Sequence, residues 1–377
     1  MGPIALAVAE LRGAPGSPPG VCLAVSGPAG GECVADGAAQ CFDDAGTLAD
    51  PPPMAGDTRT DAGSLTKVVA TTAALAALVD AGEVTFEARI DALLTWMRGR
   101  PAGSASLDDL LRHRGGLWEW WPLYLDGVDH DAALDAASKL PLRYAPGTGR
   151  HYSDVAFLLL GAVVERLAGS ELPTAFDQLV AVPFGLRATS YARPTPGAPV
   201  AASSRGDAIE ERMVRTGRPY PVAADADRFD RWRSHVLVGE VNDGNAFHAF
   251  GGAAGHAGLF CTARDLLRFG DGLLAALDGA GPLSAATARA LLAPGPDAGQ
   301  VVGLRSWETE VAGCRQVAYG HTGFPGVAFA FLPGHGATFA LVTNRLHVPG
   351  EPAVTEAMVD VALDSTHRHL HAAEGRP

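Results

Sequence analysis

Asp61-Ala62-Gly63-Ser64-Leu65-Thr66-Lys67 runs directly into Val68-Val69-Ala70-Thr71-Thr72-Ala73-Ala74-Leu75-Ala76-Ala77-Leu78-Val79, a short polar turn followed by a helix that is apolar nearly all round. Ser64 and Lys67 are three residues apart at the N-terminus of that helix, so they share a face and the amine reaches the hydroxyl. A serine attacks a carbonyl only when its proton is removed, and a desolvated lysine with a lowered pKa is suited to take part. The partial positive charge of the helix N-terminus would support the anion that forms. Composition sharpens this reading: the chain has two lysines, Lys67 and Lys139, so 27 of its 29 basic residues are arginine. Arginine cannot give up its proton in a protein, whereas lysine can. Lys139, in Ala-Ala-Ser-Lys-Leu-Pro, reads as surface.

At 377 residues, 47 % hydrophobic and 19 % charged, the chain is long and apolar enough for a large core in two lobes. A net charge of −13 spread along the sequence, with no basic patch, argues against nucleic acid as a partner. Cys22, Cys33, Cys41, Cys261 and Cys314 are odd in number and contain no Cys-x-x-Cys pair, so they read as reduced thiols of a cytoplasmic protein. No apolar run approaches the length of a membrane span.

Residues 4–10 and 21–26 read as a hairpin and 27–60 as irregular, Gly-, Asp- and Pro-rich chain. Val155 to Ala168 forms a second apolar helix. Residues 187–235 read as a polar surface excursion, and a helix is expected from Ala263 to about Leu277. Strands are expected at 301–304, 316–319, 327–332 and 338–343, and a last helix from about Pro352 to His371. The sheet domain is thus assigned to 1–60 and 236–377, and the mainly helical lobe to 61–235.

Two more short stretches complete a pattern. Tyr152-Ser153-Asp154 stands just before the second apolar helix, where a phenol can face a cleft while Ser153 or Asp154 caps the helix. His321-Thr322-Gly323 lies between two expected strands, and its glycine lets backbone approach a ligand and offer an N–H. Trp118, Trp120 and Trp121 follow Gly115-Gly116 and precede Pro122. They are expected in an extended loop in which Trp118 and Trp120 share one side, forming a wall of the substrate cleft. His367, His369 and His371 alternate in a polar tail and His256 sits in a Gly-rich run; both read as structural, and no metal-binding motif is present.

In this order, Ser-x-x-Lys, Tyr-x-Asp and His-Thr-Gly resemble the serine β-lactamase and penicillin-binding-protein superfamily, on the side of the class C β-lactamases and family VIII esterases. Leu110-Leu111-Arg112-His113-Arg114-Gly115-Gly116-Leu117, Tyr144-Ala145-Pro146-Gly147 and Gly251 to Phe260 are similar to further motifs of that superfamily. The resemblance implies an α+β fold, an antiparallel β-sheet flanked by N- and C-terminal helices with an inserted all-helical lobe. It implies Ser64 as nucleophile, Lys67 as its proton partner and Tyr152, as phenolate, completing the base. The oxyanion hole would be the backbone N–H groups of Ser64 and Phe324, and Asp154, His321, Thr322 and Gly323 would contact substrate. Asp154 stands where the family has Asn and His321 where it has Lys, and neither change suits an anionic substrate. The expectation is a cofactor-free serine acyl-enzyme hydrolase of a mostly neutral small ester, amide or thioester. The alternatives are a cytosolic transacylase and a non-catalytic binding protein on the same fold.

Overall fold

The computed structural model describes residues 1–377 other than 29, 128, 192–193, 195–197, 312–313 and 375–377. Its first element corrects the sequence reading. Pro3–Gly13 is a helix (α1), not a strand: Ile4, Ala7, Val8 and Leu11 are buried at helical spacing, and Pro3 occupies the first turn, where no N–H is needed. Strand β1 (Gly20–Ser26) pairs with β2 (Glu32–Gly37), which the glycine-rich composition of 27–60 concealed.

The chain then leaves the sheet. Residues Lys67–Thr72 form wide helical turns that continue into α2 (Ala73–Asp80), and after several short helices comes α3 (Asp154–Ala168). Ser153, not Asp154, caps α3, its hydroxyl accepting from Ala156 N at 3.0 Å. The excursion at 187–235, part of which lies outside the described residues, contains a strand (Ala202–Arg205) and a helix (Ala208–Thr216). It is anchored from within by the buried Asp207–Arg233 ion pair at 2.6 Å, so it is not simply a surface loop.

Helix α4 (Ala263–Leu277) leads back to the sheet through β3 (Arg305–Val311), β4 (Cys314–Gly323), β5 (Val327–Leu332) and β6 (Ala337–Thr343), and α5 (Thr355–Glu374) closes the chain. The strand expected at 301–304 begins instead at Arg305. Six antiparallel strands run in the order β2-β1-β6-β5-β4-β3. Alternation along each strand serves two faces. Val21, Leu23 and Leu341 join Ile4, Val8, Met358 and Ala362 under α1 and α5. Cys22, Phe329, Phe331 and Ala340 face the larger core that also holds α4, α2 and α3. The site lies at the junction of that second face with the helical region.

Among the described residues Cys22, Cys33, Cys41 and Cys261 are free thiols. Among the same residues, no helix is long and apolar enough to cross a membrane.

Candidate active site

Ser64 is presented by a turn built on a buried carboxylate. Asp61 accepts the N–H of Gly63 at 2.8 Å and that of Asn242 at 2.6 Å, and burial raises its pKa to about 6. Gly63 has φ +47°, and a Cβ on it would come within 2.4 Å of Pro325 and 3.3 Å of Phe324 N. Only glycine allows the turn before Ser64 to lie against the turn after His-Thr-Gly. Among the described residues, neither Ser64 N nor Phe324 N finds an acceptor in the protein.

Lys67 is fully buried. Its Nζ donates to Ser64 Oγ at 2.8 Å and to His256 O at 3.4 Å, and lies 2.7 Å from Asp154 Oδ1. The lowered lysine pKa expected from the sequence is overturned here. Burial does push the ammonium toward neutrality, but the Asp154 carboxylate, with hydrogen bonding to Asp154 and Tyr152, outweighs burial and raises the pKa. Tyr152 also departs from expectation. Burial raises its pKa first, Asp154 adds to the rise, and the ammonium of Lys67 recovers only part, so the resting group is a phenol and not a phenolate. Its ring centroid is 4.9 Å from Lys67 Nζ.

Asp154 therefore meets Lys67, which changes the reading of it as a substrate contact. Its carboxylate also lies within 4.8 Å of the ligand atoms of Asp243 and His256, which bond each other at 2.9 Å. These three side chains are the arrangement among the described residues that could hold a metal ion. Lys67 already supplies the positive charge there, so a metal would compete with an ammonium for Asp154.

Behind Tyr152, the Leu-Leu-Arg-His loop contributes His113, whose Nδ1 accepts Ser153 N at 3.0 Å. Burial, then the Lys67 charge, depress its pKa well below the usual range, which keeps that nitrogen an acceptor. The Gly-rich run passes alongside. Gly255 is so close to α3 that a Cβ would sit 2.0 Å from Phe157 O, and this contact brings His256 O to Lys67.

The cleft, about 780 Å³, is also lined by His321, Thr322 and Gly323 at the end of β4. His321 Nδ1 bonds Thr322 O at 2.7 Å, and burial followed by the Lys67 charge lowers its pKa to about 3. The ring is neutral at physiological pH. Arg305, unremarked in the sequence, donates to Thr322 Oγ1 at 3.1 Å and stands 3.6 Å from Glu356.

The tryptophan loop divides differently from the sequence reading. Trp120 lines the cleft, stacked at 6.4 Å on Tyr220. Trp118 does not: it packs edge-on against Trp121 at 5.4 Å, and its Nε1 donates to Pro141 O at 2.8 Å. The strict alternation of an extended strand does not hold in this loop, which turns at Trp121 into a short helical turn from Leu123. Tyr220, Asp243 and Arg305 are cleft residues that sequence reasoning missed; they lie 68 or more positions from Tyr152 in segments without a motif spacing, and only the fold brings them in, while His256, read from the sequence as structural, also lines the cleft.

A family model described as Beta-lactamase matches residues 19–363. The chain is 29 % identical over 321 residues to an N-acetylmuramyl-L-alanine amidase of Bacillus subtilis, covering 79 % of this chain and 70 % of that protein. It is 27 % identical over 348 residues to a putative D-alanyl-D-alanine carboxypeptidase of Escherichia coli K12, covering 83 % and 75 %. A class C β-lactamase from Rhodobacter sphaeroides superposes with a TM-score of 0.69 at 19 % identity, over 98 % of this chain and 99 % of that one. With the α+β fold and the cleft in place, the chain belongs to the beta-lactamase family of serine hydrolases.

Proposed function

We propose that Ser64 attacks the carbonyl of a small, mostly neutral amide or ester and carries its acyl group, Lys67 being the proton partner. The observation that carries this reading is the 2.8 Å contact between a fully buried lysine and the serine hydroxyl at the floor of an open cleft. The N–H groups of Ser64 and Phe324, without an acceptor among the described residues and carried on abutting turns, are suited to stabilise the oxyanion. Tyr152, a phenol in hydrogen-bonding reach of Ser64 and Lys67, is suited to donate a proton to the leaving group. The related amidase and carboxypeptidase support an amide among the substrates.

Preference for a neutral substrate rests on the neutral His321 and on a Lys67 ammonium already paired with Asp154, with Arg305 balanced by Glu356. Half-exposed Phe324 and Val354, 61 % exposed, give the rim an apolar surface for the acyl or leaving group. Whether water or an alcohol takes the acyl group depends on which is admitted after acylation.

The test is intact mass after incubation with a fluorophosphonate, together with release of p-nitrophenol from a short-chain ester with and without added methanol. A single adduct on Ser64, absent in Ser64→Ala, is expected. A persisting adduct in that variant rejects the assignment. A methyl ester as the main product would make the chain a transacylase.

A further inference from the structure

Cys22 on β1 and Cys33 on β2 hold their sulfurs 3.6 Å apart. In the register of the two strands Cys22 stands opposite Ala35 and Cys33 opposite Ala24, so the cysteines are diagonal neighbours on one face, both turned to the larger core. Their surroundings differ. Cys22 is fully buried, whereas Cys33 is half-buried on β2, an edge strand of the sheet. A Cβ on Gly56 would lie 2.8 Å from Cys33 Sγ and 3.3 Å from Arg264 Nε, so the glycine lets the sulfur and the guanidinium from the start of α4 meet over bare backbone. We propose that Cys22 and Cys33 form a modification site, a dithiol that a hydroperoxide converts to a disulfide, with Cys33 as the attacking sulfur and Cys22 as the resolving one. Neither cysteine lines the catalytic cleft, and their chemistry is independent of the serine hydrolase reading.

The roles follow from the two environments. The thiolate is the form that attacks. The S–H of Cys22 donates to Cys33, and with the Arg264 charge this brings the Cys33 thiol down to about 7, against burial and the Asp57 carboxylate. The same contact, with burial, pushes the Cys22 thiol far up, so Cys22 keeps its proton until its partner is oxidised. In the first step the Cys33 thiolate forms a bond to one oxygen of the hydroperoxide and the O–O bond breaks. The departing oxygen takes a proton from solvent, and Cys33 is left as the sulfenic acid. The Cys22 sulfur then attacks the Cys33 sulfur. The S–S bond forms, the S–O bond breaks, and the hydroxide leaves with the Cys22 proton as water. Two thiols have given up two electrons, and one O–O bond has been reduced. The sulfurs must close from 3.6 Å to about 2.05 Å for the bridge. Because β2 is hydrogen-bonded to β1 alone within the sheet, this approach shifts an edge strand and not the core.

The experiment uses the full chain carrying Cys41→Ser, which leaves one cysteine on each side of Glu32 in this part of the sequence. The protein is exposed to hydrogen peroxide, quenched with N-ethylmaleimide in denaturant and cleaved after glutamate without reductant. Cleavage after Glu32 puts Cys22 in fragment 11–32 and Cys33 in fragment 33–83. The two fragments are expected to remain joined, with the loss of two hydrogens in mass, and to separate on addition of dithiothreitol. Cys22→Ala in the same background removes the resolving sulfur, so dimedone should then capture a sulfenic acid on Cys33. Fragments that separate without reductant after peroxide treatment overturn the proposal. So does a bridge from either cysteine to Cys261 or Cys314 in place of the Cys22–Cys33 bridge. A bridge that forms while Cys22→Ala gives no dimedone adduct on Cys33 overturns the assignment of Cys33 as the attacking sulfur. If Cys22→Ala does not fold, Cys33→Ser tests the same order: dimedone should then find no adduct on the buried Cys22, and an adduct there reverses the roles.

Discussion

The imidazole of His113 lies against the ring of Tyr152, with centroids 4.4 Å apart, while its Nδ1 accepts the N–H of Ser153. His113 holds this position with a left-handed backbone, φ +61°, which few side chains adopt without strain. One residue thus supports the phenol and terminates the helix that carries Asp154. His113→Ala should cost about 1–3 kcal/mol of stability, because Ser153 N is left buried without a partner, and should lower kcat. His113→Gly relieves the backbone but restores no acceptor. If the glycine variant matches the parent in thermal midpoint and kcat, the backbone matters and the imidazole does not.

His321 is neutral down to about pH 3, so the parent's activity should show no titration step from it between pH 5 and 8. His321→Lys adds a cation beside Thr322. It should lower KM for a carboxylate-bearing ester relative to its neutral amide analogue by about tenfold, or 1.4 kcal/mol. The parent is expected to turn over nitrocefin weakly. Unaltered selectivity in His321→Lys would show that Arg305 already serves as the anion partner.

Asp61 gives a pH dependence of stability. Its folded pKa of about 6 exceeds the ordinary 3.8, so the folded protein binds the extra proton. Its contribution is present below about pH 3.8 and is lost as pH rises through about 6, a difference on the order of 3 kcal/mol. Asp61→Asn cannot ionise. The gap in thermal midpoint between Asp61→Asn and the parent should therefore shift in favour of the variant from pH 4 to pH 7. A gap that is constant across that range would contradict the raised pKa.

Selectivity for bulky groups should follow the Trp120–Tyr220 pair and not Trp118. Tyr220→Ala is expected to change the ratio of kcat/KM for bulky and short esters by about tenfold with a small loss of stability. Trp118→Ala should lower the thermal midpoint and leave that ratio unaltered. Equal effects of the two substitutions on the ratio would place Trp118 at the cleft as well.

Ser64, Lys67, Tyr152 and the His-Thr-Gly segment were legible in the sequence because each lies in a local motif: three residues on one helix face, a cap before an apolar helix, a glycine after a strand. So were α3, α4, β5 and β6, whose apolar runs or helical periodicity are long enough to identify. The helix at 3–13 was missed because a short, mostly apolar run satisfies strand and helix patterns alike, and β2 because glycine and aspartate mask a sheet edge. What the sequence could not determine was the chemistry of the catalytic groups. Burial argued for a lysine of lowered pKa, and the family resemblance for a tyrosine held as phenolate beside an ammonium, but a pKa is decided by which charges stand within a few ångströms. Lys67 and Asp154 are 87 positions apart, and Asp243 comes from beyond the excursion. Only the packing of α3 against the catalytic helix brings the Asp154 carboxylate to the amine, and that contact reverses the sign of the shift.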